Sequence, residues 1–407
     1  MSDSLSQLIV LDLSRILAGP WATQVLGDLG AQIIKIERPG SGDDTRGWGP
    51  PFLRDAAANE NADAAYYLCT NRNKKSVTVD FTTAEGRSIV QRLASRADVL
   101  IENFKVGGLA AYGLDYASLQ KINPRLIYCS ITGFGQTGPY AARPGYDFLV
   151  QAMGGLMSVT GRKAGEAGAG PQKAGVALTD ILTGLYATIG ILAALRHRDR
   201  TGEGQTIDVA LLDVQVACLA NQAMNYLVSG QAPERLGNAH PNIVPYQDFP
   251  TSDGYMIIAV GNDSQFARLC VELELPELAQ DPRFARNQDR VAHRPILIEA
   301  LCVATAKRPT AEWIERLETA GVPCGPINGI DAVFDDPQVR AREMKISMPH
   351  PAAGSVPLVA SPLRLSRTPA RYRLAPPTLG AQTREVLTDL LDMPSVEIDA
   401  LAARGVI

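Results

Sequence analysis

The chain has 407 residues, of which 46% are hydrophobic and 20% charged, with a formal net charge of -4. That length suits two or three domains and a cleft between lobes in a globular protein. The charge leaves no broad basic field for a polyanion, so no nucleic-acid partner is expected.

Met1-Ser2-Asp3-Ser4 lacks the basic and apolar regions of a signal peptide, and the longest uncharged run is Ile181 to Leu195. That run falls short of the roughly 18 residues a membrane span needs, so a cytoplasmic protein with no membrane partner is expected. Cys69, Cys129, Cys218, Cys270, Cys302 and Cys324 form no CxxC pair, and His197, His240, His293 and His350 are far apart in sequence. Neither a disulfide framework nor a metal centre is expected.

The first forty residues predict strand, helix, strand. Leu8 to Leu13 is apolar apart from Asp12, Gly19-Pro20 opens a helix that Gly30 closes, and Gln32 to Glu37 is the second strand. The loop Ser14 to Pro20 lacks the GxGxxG pattern that brings backbone against a pyrophosphate, so NAD binding is disfavoured. Further strands are predicted at Ser76 to Asp80, Val99 to Glu102, Leu126 to Thr132 and Gln205 to Val209, with helices near 84–95 and 175–197. This alternation predicts a parallel α/β sheet.

Beyond about residue 225 the pattern changes. A strand at Tyr255 to Val260 follows the turn Ser252-Asp253-Gly254, and helices are predicted at 263–273, 293–305 and 309–320. Prolines recur from Pro349 to Pro377 and predict an extended connection before a terminal helix at 380–391. The fold class expected is α/β, with a Rossmann-like parallel-sheet large domain and a smaller α+β domain. The large domain takes 1–205, a connecting helix 206–225, the small domain 226–330, and a return linker with the end of the large domain 331–407.

Asp180 stands alone where the glycine-rich stretch Gly161 to Gly175 gives way to the uncharged helical run. At a helix start it can accept backbone N–H bonds and feel the helix dipole, which predicts an ionised carboxylate at neutral pH. Position alone favours an ordinary helix cap; the same carboxylate is also a potential nucleophile.

Several stretches together resemble the family III CoA transferases over nearly the whole chain. They are Val10-Leu11-Asp12 with Ala18-Gly19-Pro20; Ile34 to Arg38 with Gly40-Ser41-Gly42-Asp43; Asn73-Lys74-Lys75-Ser76; Glu102-Asn103-Phe104; Gly133 to Pro139; Gly175 to Asp180; and Gly202 to Gln205. The resemblance implies that Asp180 is the catalytic nucleophile, with coenzyme A a substrate and no tightly bound cofactor. A carboxylate attacking a thioester gives a mixed anhydride and a thiolate, and the thiolate then gives an aspartyl-CoA thioester, which requires no metal.

The resemblance places Ile16, Arg38, Val79, Asn103 and Phe104 against CoA. Lys74 and Lys75 either add charge there or form a solvated turn. Relatives often carry an Arg where this chain has Ala111, a contact that Arg143 can supply. Arg46 and Trp48 border the active site in similar enzymes, and Arg46 either clamps a distal carboxylate or is a surface residue. The segment His240 to Tyr246 is similar to family members that handle succinyl-CoA and small dicarboxylates, and His240 either contacts substrate or fixes a loop. The preferred donor is succinyl-CoA and the acceptor a dicarboxylate such as glutarate or a hydroxy-dicarboxylate.

Two alternatives remain. An alpha-methylacyl-CoA racemase needs an acid/base pair, and the Gly-His-Asp segment of such relatives is Gly145-Tyr146-Asp147 here. A non-catalytic acyl-CoA-binding protein is the other. The resemblance also implies an interlaced homodimer.

Overall fold

The computed structural model describes residues 3–55 and 63–407, so Met1 and Ser2 lie outside the described residues. Two compact units are present. The first comprises Met1–Leu156, Ala174–Ala223 and Gln338–Ile407, and the second Met157–Lys173 and Met224–Pro337.

The first unit is built on strands β1 (Ile9–Asp12), β2 (Gln32–Glu37), β3 (Lys74–Thr78), β4 (Val99–Glu102), β5 (Ile127–Thr132) and β6 (Thr206–Ala210). They form one sheet in the order β3-β2-β1-β4-β5-β6, every pairing parallel. Helices α1 (Ala18–Asp28), α2 (Ala65–Leu68), α3 (Ala84–Arg96), α4 (Asp147–Met153), α5 (Leu178–Thr201) and α6 (Leu211–Ala217) accompany it.

Strands β1, β2, β4 and β5 bury both faces, which is why they are largely apolar runs without alternation, whereas edge strand β6 leaves Thr206 and Asp208 exposed. Leu11, Ile34, Val77 and Leu100 point to one side, where Ile89 and Leu93 of α3 cover them. Val10, Ile33, Val99 and Ile101 point to the other, under Ala22 and Leu26 of α1 and Ala187 and Ile191 of α5. Each such aliphatic side chain contributes about 1.5–3 kcal/mol when fully buried. Helix α5 is long and apolar enough by length and composition to cross a membrane, and its buried face packs on this sheet. A Cβ on Gly184 would lie 2.6 Å from the Ala18 carbonyl oxygen, so glycine permits the close approach of α5 to α1.

The second unit has its own antiparallel sheet of β7 (Tyr246–Pro250), β8 (Tyr255–Ala259) and β9 (Cys324–Pro326). Helices α7 (Asp263–Glu272), α8 (Arg294–Thr305) and α9 (Thr310–Thr319) supply Phe266, Leu297, Leu301 and Trp313 to a separate core.

The returning chain adds to the first unit a hairpin, β10 (Lys345–His350) and β11 (Gly354–Val359), then α10 (Thr383–Leu391) and α11 (Ser395–Ala403). The hairpin replaces the first part of the extended connection expected from Pro349. Its two strands pair only with each other, so Pro349 and Pro357 can sit in them without interrupting a central ladder. The strand expected at Gln205 to Val209 is edge strand β6, so within the 206–225 span assigned to a connecting helix the first helix, α6, begins at Leu211. Strand β3 starts two residues before its predicted position because Lys74 buries its ammonium inward.

Beneath the carboxyl ends of the first three strands lies a buried ionic layer. Lys74 Nζ meets Asp12 Oδ2 at 3.2 Å and the Pro20 carbonyl at 2.9 Å, while Lys35 Nζ meets Asp43 Oδ2 and the Ser14 carbonyl, both at 2.8 Å. Burial pulls the Lys74 ammonium down to about 8 against the opposing pull of Asp12. Asp12 and Lys74 are both fully enclosed, so removing one leaves an uncompensated charge. We predict that Asp12→Ala lowers unfolding stability by about 3–5 kcal/mol in chemical denaturation. Arg384→Ala, which breaks an exposed pair with Asp399, leaves the midpoint nearly unchanged.

Candidate active site

In an open parallel sheet, ligands bind outside the carboxyl ends of the strands where the strand order reverses, here between β1 and β4. The loops leaving those strands line a cleft of about 520 Å3 in the first unit. Arg15, Ile16 and Leu17 come from the loop after β1, Asn103 and Phe104 from the turn after β4, and Thr132 and Gly133 from the end of β5. Arg143, Tyr146 and Asp180 complete the part used below.

The β1 and β4 loops are tied together by one side chain. Asn103 Oδ1 accepts the Arg15 N–H at 2.9 Å, and its Nδ2 donates to the Arg15 carbonyl at 2.7 Å. Ile16, next in the chain, has φ of 73°, a left-handed conformation that a β-branched residue adopts only when its surroundings impose it. Its N–H donates to Asp43 Oδ1 at 3.3 Å, so the buried ionic layer holds the cleft loop from below. Arg15 lies 5.5 Å from the Phe104 ring centroid. Arg143 stacks 4.6 Å from the Tyr140 ring and 5.3 Å from Phe134. Lys105 is the third cation of the cleft wall. A Cβ on Gly133 would fall 2.5 Å from Gly145 Cα, so two glycines are needed where these wall segments touch.

Asp180 is the third residue of α5, whose capping residue is Ala177. The expected cap function belongs elsewhere: Asp147 Oδ1 accepts the Thr179 N–H at 2.8 Å and the Asp180 N–H at 3.3 Å. Asp147 is itself held by Gln151 Nε2 at 2.7 Å. The expectation of an ordinary, ionised Asp180 is corrected by this arrangement. Burial, and then the like charge of Asp147, raise the Asp180 carboxyl to about 7. Desolvation therefore outweighs the favourable helix dipole.

Of the other residues singled out from sequence, Ile16, Asn103, Phe104 and Arg143 line the cleft. Arg38 is exposed and does not. Val79 is buried in the core cluster on which Phe81 and Phe104 pack, and Lys75 pairs with Glu385 at 2.6 Å.

Arg46 is a structural ion-pair residue in place of the substrate clamp expected. Its Nε and Nη2 grip the two oxygens of Glu37 at 2.9 and 2.7 Å, its Nη1 meets Asp63 at 2.7 Å, and its Nη2 also meets the Tyr67 hydroxyl at 2.6 Å. Trp48 is 45% exposed and packs edge-on to Tyr66 with centroids 5.3 Å apart. His240 belongs to the second unit. Its Nδ1 accepts the Asn242 N–H at 3.0 Å and its carbonyl accepts Arg294 Nη2 at 2.7 Å, which is the loop-fixing alternative.

Sequence reasoning missed Tyr66 and the role of Asp147. Burial, and then the charges of Asp180, Cys69 and Asp147, push the Tyr66 phenol up to about 12. Its only local signal is membership of the short apolar segment Ala64 to Leu68. Among the described residues, no group of three or more His, Cys, Asp or Glu side chains could hold a metal ion.

The sequence matches CoA-transferase family III over residues 5–383. The chain belongs to CoA-transferase family III. A succinate–glutarate CoA-transferase of Agrobacterium fabrum is 53% identical over 386 residues, covering 95% of each chain. A succinyl-CoA:glutarate CoA-transferase of Mus musculus is 46% identical, covering 98% of this chain and 89% of its relative. The crystal structure of a CAIB/BAIF family protein from Brucella suis superposes with a TM-score of 0.84 at 52% identity, covering 96% of this chain and 100% of that one. Such a family III CoA-transferase acts on CoA thioesters.

An electrostatic prediction follows from Asp147. In Asp147→Asn the amide oxygen can still cap α5 while the negative charge is gone. The Asp180 carboxyl then titrates below its native value of about 7 and stays above the ordinary carboxylate range, because burial remains. If turnover requires the Asp180 carboxylate ionised, the acid limb of the kcat/KM profile moves to lower pH. An unmoved limb would refute the coupling.

Proposed function

We propose that this CoA-transferase moves CoA from succinyl-CoA to a small dicarboxylate such as glutarate, with Asp180 as the nucleophile. The observation that carries the reading is the composition of the cleft wall. Asp180 is the single carboxylate among its described lining residues, while Arg15, Lys105 and Arg143 supply three cations for the phosphates of CoA. The relatives named succinate–glutarate and succinyl-CoA:glutarate CoA-transferase support the choice of acids, and one named for D-citramalate extends it to a hydroxy-dicarboxylate.

An Asp180 oxygen attacks the succinyl thioester carbonyl, the C–S bond breaks, and CoA thiolate leaves a succinyl-aspartyl anhydride. The thiolate attacks the Asp180 carbonyl carbon and releases succinate, leaving an aspartyl-CoA thioester. A glutarate carboxylate attacks that carbonyl and expels the thiolate again, which then attacks the glutaryl carbonyl to give glutaryl-CoA and restore the Asp180 carboxylate. Each step is an acyl transfer through a tetrahedral oxyanion, and backbone N–H groups of the glycine segments suit its stabilisation. An anhydride hydrolyses in water, so the site must exclude solvent during turnover. The racemase alternative requires a base where Tyr146 stands, and a phenol is a poor base near neutral pH.

The reading extends to a homodimer with interlaced chains in the cytoplasm. Its support in the first unit is an apolar set left exposed on α4, α5 and α6: Phe148, Tyr186, Ile189 and Val216, between 46% and 61% exposed.

Purified enzyme with succinyl-CoA and glutarate should form glutaryl-CoA and succinate in equal amounts by chromatography. Asp180→Ala and Asp180→Asn should each lose roughly a thousandfold or more in kcat, since neither side chain can form the anhydride. Retained turnover in either variant would remove Asp180 from the mechanism. Dimers should persist on dilution and separate only on unfolding; monomers at micromolar concentration by analytical ultracentrifugation would exclude interlacing.

A further inference from the structure

Glu102 lies at the carboxyl end of β4, immediately before Asn103 and Phe104. Its side chain is buried and takes no part in the acyl transfers. Oε2 accepts the Phe104 N–H at 2.7 Å, and Oε1 accepts the Ser130 hydroxyl. Ser130 Oγ in turn accepts from Gln136 Nε2 at 2.7 Å, and the Gln136 N–H donates to Asp208 Oδ2 at 2.9 Å. The string crosses the ends of β4, β5 and β6. It joins the Asn103-Phe104 turn to the Gly133–Gly138 loop, and both contribute to the cleft wall.

We infer that Glu102 is a positioning residue that sets the cleft's affinity for CoA by holding these two wall segments in one hydrogen-bonded string. The inference rests on the assignment of the cleft to CoA. Removing the carboxylate releases the Phe104 N–H, and with it the peptide that carries the Phe104 ring and the Asn103 clamp on Arg15. The ligand then has to order those groups on binding, and affinity falls.

The string also has a protonation state. Burial pushes the Glu102 carboxyl up to about 6, although the bonds from Ser130 and Phe104 pull it down. A second cavity of about 260 Å3, lined by Glu102, Ser130, Gln136 and Asp208, borders it and shares Lys105 and Val106 with the cleft. The other charged or titratable groups around it are Asp208 on β6, Asp115 and Tyr116 across the cavity, Tyr128 and the buried Cys129 on β5, and Lys105 beyond the turn. Tyr128 donates to the Leu114 carbonyl, so it leaves the Glu102 oxygens to Ser130 and Phe104. Above pH 6 the carboxylate accepts both bonds. Below it, a proton on Oε1 makes Ser130 the acceptor of that bond, its own hydroxyl proton loses its partner, and the string must rearrange. CoA affinity therefore falls as pH drops through about 6.

The test is direct binding of CoA itself, by titration calorimetry at pH 7.5 and 5.5. Glu102→Ala should bind about tenfold more weakly at pH 7.5, with KM for the thioester rising more than kcat falls. Glu102→Gln, whose amide donates to the Ser130 Oγ as the protonated acid does, should bind at pH 7.5 about as weakly as the native enzyme does at pH 5.5. It should also lose less affinity than the native enzyme between the two pH values. The phosphates of CoA titrate in the same range, but identically for both proteins.

Equal pH dependence of native and Glu102→Gln, or native-like binding by folded Glu102→Ala, would overturn the inference. If Glu102→Ala fails to fold, Ser130→Ala takes its place: weakened binding is expected, and native-like binding overturns the string. Arg143→Ala separates the two levels. If it weakens CoA binding while the Glu102 variants do not, only the string fails; if neither does, the assignment of the cleft fails as well.

Discussion

The pairing of buried charges under the carboxyl ends of β1, β2 and β3 governs the rest of the first unit. Asp12, Lys35 and Lys74 have no solvent contact, and an ion there costs several kcal/mol unless a partner compensates it. Compensation fixes geometry: Lys35 can satisfy Asp43 and the Ser14 carbonyl together only if the β1 and β2 loops lie side by side. Asp43 then holds the Ile16 N–H, and Asn103 clamps the neighbouring peptide from the other side. A left-handed isoleucine is tolerated because interactions on both sides leave it no alternative, and the cleft is shaped before any ligand arrives.

The same economy of carboxylates explains Asp180. A helix start offers N–H donors, and here Asp147 takes them. That leaves Asp180 desolvated and beside a like charge, so its carboxyl is closer to neutrality than a capping aspartate would be. A carboxylate stripped of water and of hydrogen-bond donors is a better nucleophile than a solvated one, because fewer interactions must be broken as it attacks. One aspartate stabilises the helix, and the other is spared that duty.

The inner parallel strands were legible because burial on both faces makes them largely apolar runs, and Gln32–Glu37 and Val99–Glu102 were read at their observed limits. Asp180, Ile16, Asn103, Phe104 and Arg143 were singled out through the family resemblance, and the structure brings all five to one cleft. What escaped is non-local. An arginine beside a tryptophan in sequence gives no sign that Glu37, Asp63 and Tyr67 will surround it, so Arg46 was read as free for substrate. Asp147 caps a helix more than thirty residues away, a relation that no spacing rule contains. The β10–β11 hairpin was hidden by its prolines, because the rule that removes them from strands applies to central strands.

Strand β3 is the edge of the sheet, and the end of the chain finishes it. Gln382 and Thr383 side chains accept the Ser76 and Thr78 N–H groups at 3.0 Å each, and the Val406 carbonyl accepts that of Asp80 at 2.7 Å. During synthesis these donors lack those partners until residues 382–406 leave the ribosome, with all of the second unit emerging first. A nascent chain therefore carries an open sheet edge for most of its translation, the kind of surface that pairs with other strands. The large unit can close only after the smaller one is already complete.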